Sequence, residues 1–284
     1  MSKLLALIDG SVYARSVCDH AAWIAGRTDS SIELLHILGR RETGSPPADR
    51  SGSLFFGART ALLKELSEHD AERSKLAQKR GRALLDGARQ ILQAAGIADI
   101  TERLRFGDLV DAVVETESDA SMVVIGKRGE AADFARLHLG SNLERVVRAS
   151  QRPLFVAARA FQPITSMLIA FDGGTSSLKA VAEIAGNRLF NGLSCRLLMV
   201  APDKDAARRQ IDAAAHRLQA AGHTVEAILR QGHAEAEITR AVDDHHIGLL
   251  VMGAYGHSRV RNLIIGSTTE HMLRACKIPV LLYR

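Results

Sequence analysis

No unbroken apolar run in this chain comes near the ~20 residues that a membrane span needs, so no membrane partner is expected. The opening residues, Met1 to Asp9, hold too short an apolar run for a signal peptide. Cysteine is scarce. Cys18, Cys195 and Cys276 lie far apart, are odd in number, and form neither a C-x-x-C pair nor a metal-ligand spacing. That pattern predicts buried reduced thiols in a reducing compartment. A soluble cytoplasmic protein without a metal site is the expectation. Aromatic residues make up only 4% of the chain. Small and branched aliphatics must therefore fill the interior, as they do in a parallel sheet covered by helices. A basic stripe is missing too. The net charge of +5 is spread along the chain and residues 72–89 mix both signs, so no nucleic-acid partner is expected. Two phosphate signatures are also absent. Without G-x-x-x-x-G-K-[ST] the chain is not a P-loop NTPase, and without G-x-G-x-x-G a dinucleotide site is not expected.

What the chain does have is length and repetition. Its 284 residues, 46% of them apolar, suit two cores rather than one. Lys3-Leu-Leu-Ala-Leu-Ile-Asp9 matches Ser166-Met-Leu-Ile-Ala-Phe-Asp172, and Leu34-Leu-His-Ile37 matches Leu197-Leu-Met-Val200. Further on, Gln93-Ala-Ala-Gly96 matches Gln219-Ala-Ala-Gly222, and Arg105-Phe-Gly107 matches Arg230-Gln-Gly232. Met122-Val-Val-Ile-Gly126 matches Leu249-Leu-Val-Met-Gly253, and the runs after Pro153 and Pro279 match last. Six matches in one order make the chain two copies of one unit. The offset falls from 163 to 126 between the second and third matches, so the first copy holds 37 extra residues there. They open as a Gly-, Pro- and Ser-rich loop from Gly39. A long helix is then expected from about Thr60 to Ala95, with a break near Ser67. The expected division is a first domain at 1–160, with an insert at about 39–75, and a second at 161–284.

Each copy alternates short apolar strands with amphipathic helices. In the second copy the strands are expected at 166–171, 194–201, 224–230, 248–252 and 278–283. The helices are expected at 176–190, 204–221, 233–246 and 267–275. This alternation predicts α/β architecture: two tandem doubly wound, five-stranded, parallel-sheet domains with right-handed crossovers. Such folds bind ligands beyond the carboxyl ends of the strands, where strand order reverses. The last strand of each copy, 154–157 and 280–283, is an apolar edge that needs a partner.

One spacing carries the chemistry. Gly253-Ala-Tyr-Gly256 is followed, after nine residues, by Gly266-Ser267-Thr268-Thr269. It sits between a strand and a helix. Bare N–H groups at a helix start make a seat for phosphate. G-x-x-G, nine residues and G-S-T, with an Asp after the first strand, resembles the ATP-binding signature of the universal stress protein family. The resemblance spans nearly the whole chain as a tandem member. It implies that Ala170, Asp172, Val200 and Met252 hold the adenosine, and that Gly253, Gly256, Gly266, Ser267, Thr268 and Thr269 hold the phosphates. His257, Arg259 and Arg261 lie between the glycines, where they could add positive charge. It also implies roles in stress survival and signalling, slow hydrolysis at most, and Mg²⁺ or Mn²⁺ travelling with the phosphates of ATP. Plainer readings stand beside these. Asp172 could serve only as an Asx turn, Ser267 and Thr268 only as N-caps, and the glycines only as turn residues. His245 and His246 end a helix, where imidazolium suits the helix dipole.

The first copy departs from the pattern. It reads Gly126-Lys-Arg-Gly129, ten residues, then Gly140-Ser141-Asn142. Asp9, Ile37 and Ile125 occupy the adenosine positions. Lys127 and Arg128 could bind phosphate or block the pocket. The second copy is therefore the favoured nucleotide site. A nucleotide-free dimeric interaction scaffold is the alternative. The two last strands are expected to pair within one chain, and a homodimer through the insert, with Leu54, Phe55 and Phe56, is the expected further assembly.

Overall fold

A computed structural model of the chain describes residues 2–39, 56–129, 141–254 and 265–284, with side chains from 65 in the helix that opens at Phe56. The first half runs β1 (Lys3–Leu7), α1 (Ala14–Thr28), β2 (Ser31–Leu38), α2 (Phe56–Ala94), β3 (Ile100–Phe106), α3 (Leu109–Thr116), β4 (Met122–Gly126), α4 (Ser141–Ala149) and β5 (Leu154–Ala157). The second repeats it as β6 (Ser166–Ala170), α5 (Thr175–Gly186), β7 (Ser194–Val200), α6 (Asp205–Ala220), β8 (Val225–Arg230), α7 (Ala234–Asp244), β9 (Leu249–Gly253), α8 (Ser267–Ala275) and β10 (Val280–Tyr283).

All ten strands join one sheet in the order β3-β2-β1-β4-β5-β10-β9-β6-β7-β8. Every neighbouring pair is parallel except β5 and β10, which meet antiparallel with Leu281 opposite Phe155. The expected pairing of the two last strands within one chain is thus observed. The two five-stranded units fuse into one mixed sheet. All four residues of each joining strand are buried, which explains why both read as continuous apolar runs. The outermost strands differ. β3 exposes Glu102 and Arg103, and β8 exposes Glu226 and Arg230; charged side chains protect such an edge from further pairing.

Side chains alternate across the sheet. Leu4, Ala6 and Ile8 pack with Val17, Cys18 and Leu92 under α1 and α2, and the same cluster continues through Phe155 and Leu281 to Ile184 and Leu218 under α5 and α6. Leu5 and Leu7 face the other way, with Val113 and Val146, in a cluster that reaches Met252 and Leu273 under α7 and α8. Both cores cross the junction, so each half completes the other. The three cysteines are buried and free. Burial pushes the Cys18 and Cys195 thiols up to about 12 and raises Cys276, which leaves little reactive thiolate.

Helix α2 departs from the expectation in one respect. It runs unbroken over 39 residues, through Ser67. The segment around Ser67 is dense in Glu, Ala, Leu, Lys, Gln and Arg, all good helix formers, and has no proline. One serine costs too little to stop it. Among the described residues no helix is long and apolar enough to cross a membrane.

Candidate functional site

In each half the strand order reverses between the first and fourth strands, at β1/β4 and β6/β9. The candidate residues gather at the carboxyl ends of these strands. Asp172 follows β6 and shapes the turn into α5. Its Oδ1 accepts from the Gly174 N–H at 2.8 Å and from the Ser177 hydroxyl at 2.6 Å. Gly173 turns the chain there with φ +74°, a left-handed conformation that suits glycine. The Asx turn is therefore real, and the carboxylate remains at the exposed rim. Asp9 makes the equivalent turn, with Oδ1 accepting from the Ser11 N–H at 3.0 Å.

Ala170, Val200 and Met252 stand at the ends of three neighbouring strands, with Met252 beside Ala170 in register. All three belong to the cluster on the α7–α8 side. They form one aliphatic wall with Ile228 and Ala234. Ile37 and Ile125 form its counterpart in the first half, beside Leu109 and Val110.

The first glycine of each pair has a steric reason to be glycine. A Cβ on Gly253 would lie 2.8 Å from Ser176 Cβ and 3.2 Å from the Ser177 nitrogen. A Cβ on Gly126 would lie 2.8 Å from Tyr13 Cβ. Ser176 and Tyr13 hold equivalent places in the two copies, so in both halves the fourth strand ends against the start of the first helix. Gly129 is close to Asp9 as well: a Cβ there would come within 3.2 Å of Oδ2. In the first half Gly129 thus brings the Asp9 turn and the glycine loop together.

Helix α8 opens on Gly266, which is extended and makes no side-chain cap. Ser267 and Thr268 are helical residues rather than caps. The Gly266 N–H is held by the Ala254 carbonyl at 3.3 Å. Two hydroxyls of the first turn are committed within the chain. Thr268 donates to Glu235 at 2.9 Å and Thr269 donates to the Gly253 carbonyl at 3.1 Å. Their hydroxyl protons point at the protein, so the uncapped N–H groups of this turn and the exposed Ser267 are its remaining anion donors. In the first half Ser141 starts α4 and Asn142 is exposed in its first turn. Gly140, Gly256, His257, Arg259 and Arg261 lie outside the described residues.

Several partners were not foreseen from the sequence. Glu235, in the first turn of α7, is held below the usual carboxylate range by a backbone N–H and then by Thr268. In the first half an ion pair closes the same helix–helix contact. Asp108 caps α3 by accepting from the Val110 N–H at 2.8 Å, and Arg145 on α4 reaches it at 2.7 Å. Arg145 is the first cause of the low Asp108 pKa. Asp108 and Glu235 each stand one to three residues after a Gly at the end of the third strand, the only local signal that marks them.

Lys127 is part-buried and turned toward the other half. Its ammonium donates to the Cys276 carbonyl, the C-cap of α8 in the other half. Burial lowers its pKa to about 8. Arg284 makes the reciprocal contact, donating to the Arg148 and Ser150 carbonyls at 3.1 and 3.2 Å at the end of α4. Each cation satisfies carbonyls at a helix C-terminus of the opposite half, where the helix dipole favours positive charge.

Comparisons with known proteins point to one family. The sequence pattern of the universal stress protein family matches residues 1–158 and again 163–284. Universal stress protein Slr1230 from Synechocystis is 36% identical, with all of both chains aligned. Putative universal stress proteins from Staphylococcus aureus are 26% identical over 51% of this chain and 77% of their own. Among solved structures, a universal stress protein from Archaeoglobus fulgidus covers 99% of this chain and 98% of its own, with a TM-score of 0.72 and 20% identity. A putative universal stress protein from Pseudomonas aeruginosa covers 100% and 93%, with a TM-score of 0.62 and 16% identity.

Proposed function

The chain belongs to the universal stress protein family, and from that premise we propose that it binds ATP as a regulatory, stress-survival protein, with the second half as its nucleotide site. In this reading Asp172 faces the ribose or base, and Ala170, Val200 and Met252 form the purine wall. Gly253, Gly266 and the first turn of α8 receive the phosphates, accompanied by Mg²⁺ or Mn²⁺. Gly256 and His257 extend the phosphate loop. ATP is bound as a state marker, and any hydrolysis is slow.

The observation that carries the reading is the convergence at the β6/β9 edge. The Asp172 turn, Gly253 with no room for a Cβ, and the uncapped start of α8 meet there. A helix start of that kind favours an anion. A second reading applies to the first half, as a scaffold rather than a nucleotide site. It is favoured by Lys127, which is engaged with the Cys276 carbonyl.

Binding can be measured directly. Denaturing the purified protein and assaying the supernatant should release ATP, and titration with Mg-ATP should saturate at one site per chain. Gly266→Val should abolish binding at the second half without unfolding the chain. A protein that carries no nucleotide and shows no heat of binding would overturn the proposal. Two equivalent sites would overturn the scaffold role of the first half alone.

A further inference from the structure

The nucleotide reading leaves two features of the chain unused. One is the insert: Leu54, Phe55 and the Phe56 side chain, expected from the sequence at a dimer contact, lie outside the described residues. The other is a groove of about 270 Å³ between α5 and α6. It lies on the opposite face of the sheet from the proposed purine wall. Ala170, Val200 and Met252 pack with the core on the α7–α8 side, whereas Phe171, Val181 and Ala214, which line the groove, belong to the core on the α5–α6 side.

The groove has apolar walls and one cation. Leu178 and Val181 stand about one turn apart on α5, and Ala213 and Ala214 offer only methyl groups from α6. Gln210 closes one end, where a Cβ on Gly173 would come within 2.9 Å of its Oε1. Arg217 is the one ionisable residue of the lining. The residues three and four positions from it are Ala213, Ala214, Ala220 and Ala221, so its own helix offers it no carboxylate. Among the described residues no ion pair engages it. The first half is built differently. At the repeat offset of 126, Leu84 and Ile91 stand in place of Gln210 and Arg217, and Ile91 packs on the core. Aliphatic side chains there serve packing between two helices. An amide and a guanidinium at the same places leave an apolar groove with a charged mouth.

We propose that this groove binds a small apolar monocarboxylate, with the body of the ligand against Phe171, Leu178 and Ala213 and its carboxylate on the Arg217 guanidinium. A planar guanidinium meets a carboxylate with two parallel N–H···O bonds. The arginine stem lines apolar surface while its head stays in water at the mouth. An apolar cavity of roughly 150 Å³ holds a benzene, so about 270 Å³ takes one ring with a short acid-bearing chain. A phosphate lacks the apolar body and a neutral ring lacks the charge, so neither satisfies both ends of the groove. The proposal is independent of nucleotide binding.

Titration of the full-length chain with phenylacetate, followed by backbone amide NMR shifts, tests it. The shifts should saturate and centre on Gly173, Leu178, Ala213 and Arg217. Phenylacetamide keeps the ring and loses the charge, and inorganic phosphate keeps charge and loses the ring. Each should bind at these amides at least about tenfold more weakly. Arg217→Gln should weaken phenylacetate by a similar factor, and Ala213→Leu should abolish its binding by filling the groove. Both positions are exposed on α6, and Gln and Leu are good helix formers, so circular dichroism should show both variants folded. Absence of saturable shifts at these residues overturns the proposal. So does phenylacetamide that binds as tightly as phenylacetate, an Arg217→Gln chain of unchanged affinity, or a folded Ala213→Leu chain that still binds.

Discussion

The Lys127 ammonium is bonded to the Cys276 carbonyl at the end of α8, so the glycine loop of one half holds the last helix of the other. The start of that same helix is the proposed phosphate seat. Burial holds Lys127 near pKa 8, below its usual 10.5. A lowered pKa on a cation means that the unfolded chain binds more protons between about pH 8 and about pH 10.5. This group therefore makes stability rise with pH across that window. Lys127→Met should remove the rise. Urea unfolding of both proteins across the window checks it, and a constant difference between them would exclude Lys127 as the titrating group.

Gly253 is required by packing before any ligand is considered. Gly253→Ala should destabilise the chain by roughly 1–3 kcal/mol through overpacking against Ser176. Adding Ser176→Gly removes the Cβ that lies 2.8 Å away and should recover much of the loss. Urea midpoints of the two single variants and the double variant measure the coupling. Strict additivity would show that this contact is not the cause.

The carboxylates at the two helix–helix contacts should resist acid. Arg145 lowers the Asp108 pKa, so the stabilisation is complete above the unfolded-state value and lost as pH falls through the folded one. Arg145→Met should therefore lower stability at neutral pH and make no difference below the folded-state pKa, so the urea midpoints of variant and wild type should converge as pH falls; a difference that persists in strong acid would exclude the ion pair as its cause. In the second half, Thr268→Val should move the Glu235 titration up toward the usual range, read by NMR. A Glu235 titration unchanged in that variant would mean that the backbone N–H alone holds it down.

Phe155 is fully buried in β5, opposite Leu281 of β10. Phe155→Ala should cost about 3–5 kcal/mol. Because both cores cross this junction, unfolding should remain one transition by fluorescence and circular dichroism. Two separate transitions in the wild type would show that the halves fold independently.

Much of this architecture is legible in the sequence because it rests on local patterns. Alternating apolar runs and helical stripes mark the elements, the internal repeat gives the topology twice, and two apolar last strands announce that they need a partner. The glycine spacing and the two Asp turns mark the site edge for the same reason, since each lies within one strand–loop–helix unit. The break expected near Ser67 failed because a serine is a weak signal within a run of strong helix formers.

The rest depends on which distant residues the fold brings together. Gly253 meets Ser176, Thr268 meets Glu235, Asp108 meets Arg145, and Lys127 meets Cys276, 149 positions away. Nothing local encodes those meetings. By itself the sequence determined two copies of an α/β unit with an Asp turn and a glycine loop on one edge. Only the tertiary structure decided that the copies share one sheet and both cores, that two threonine hydroxyls are spent inside the protein, and that the basic loop of one half is tied to the other. Close packing and buried hydrogen bonds are set by distance in space, and sequence spacing carries no direct record of it.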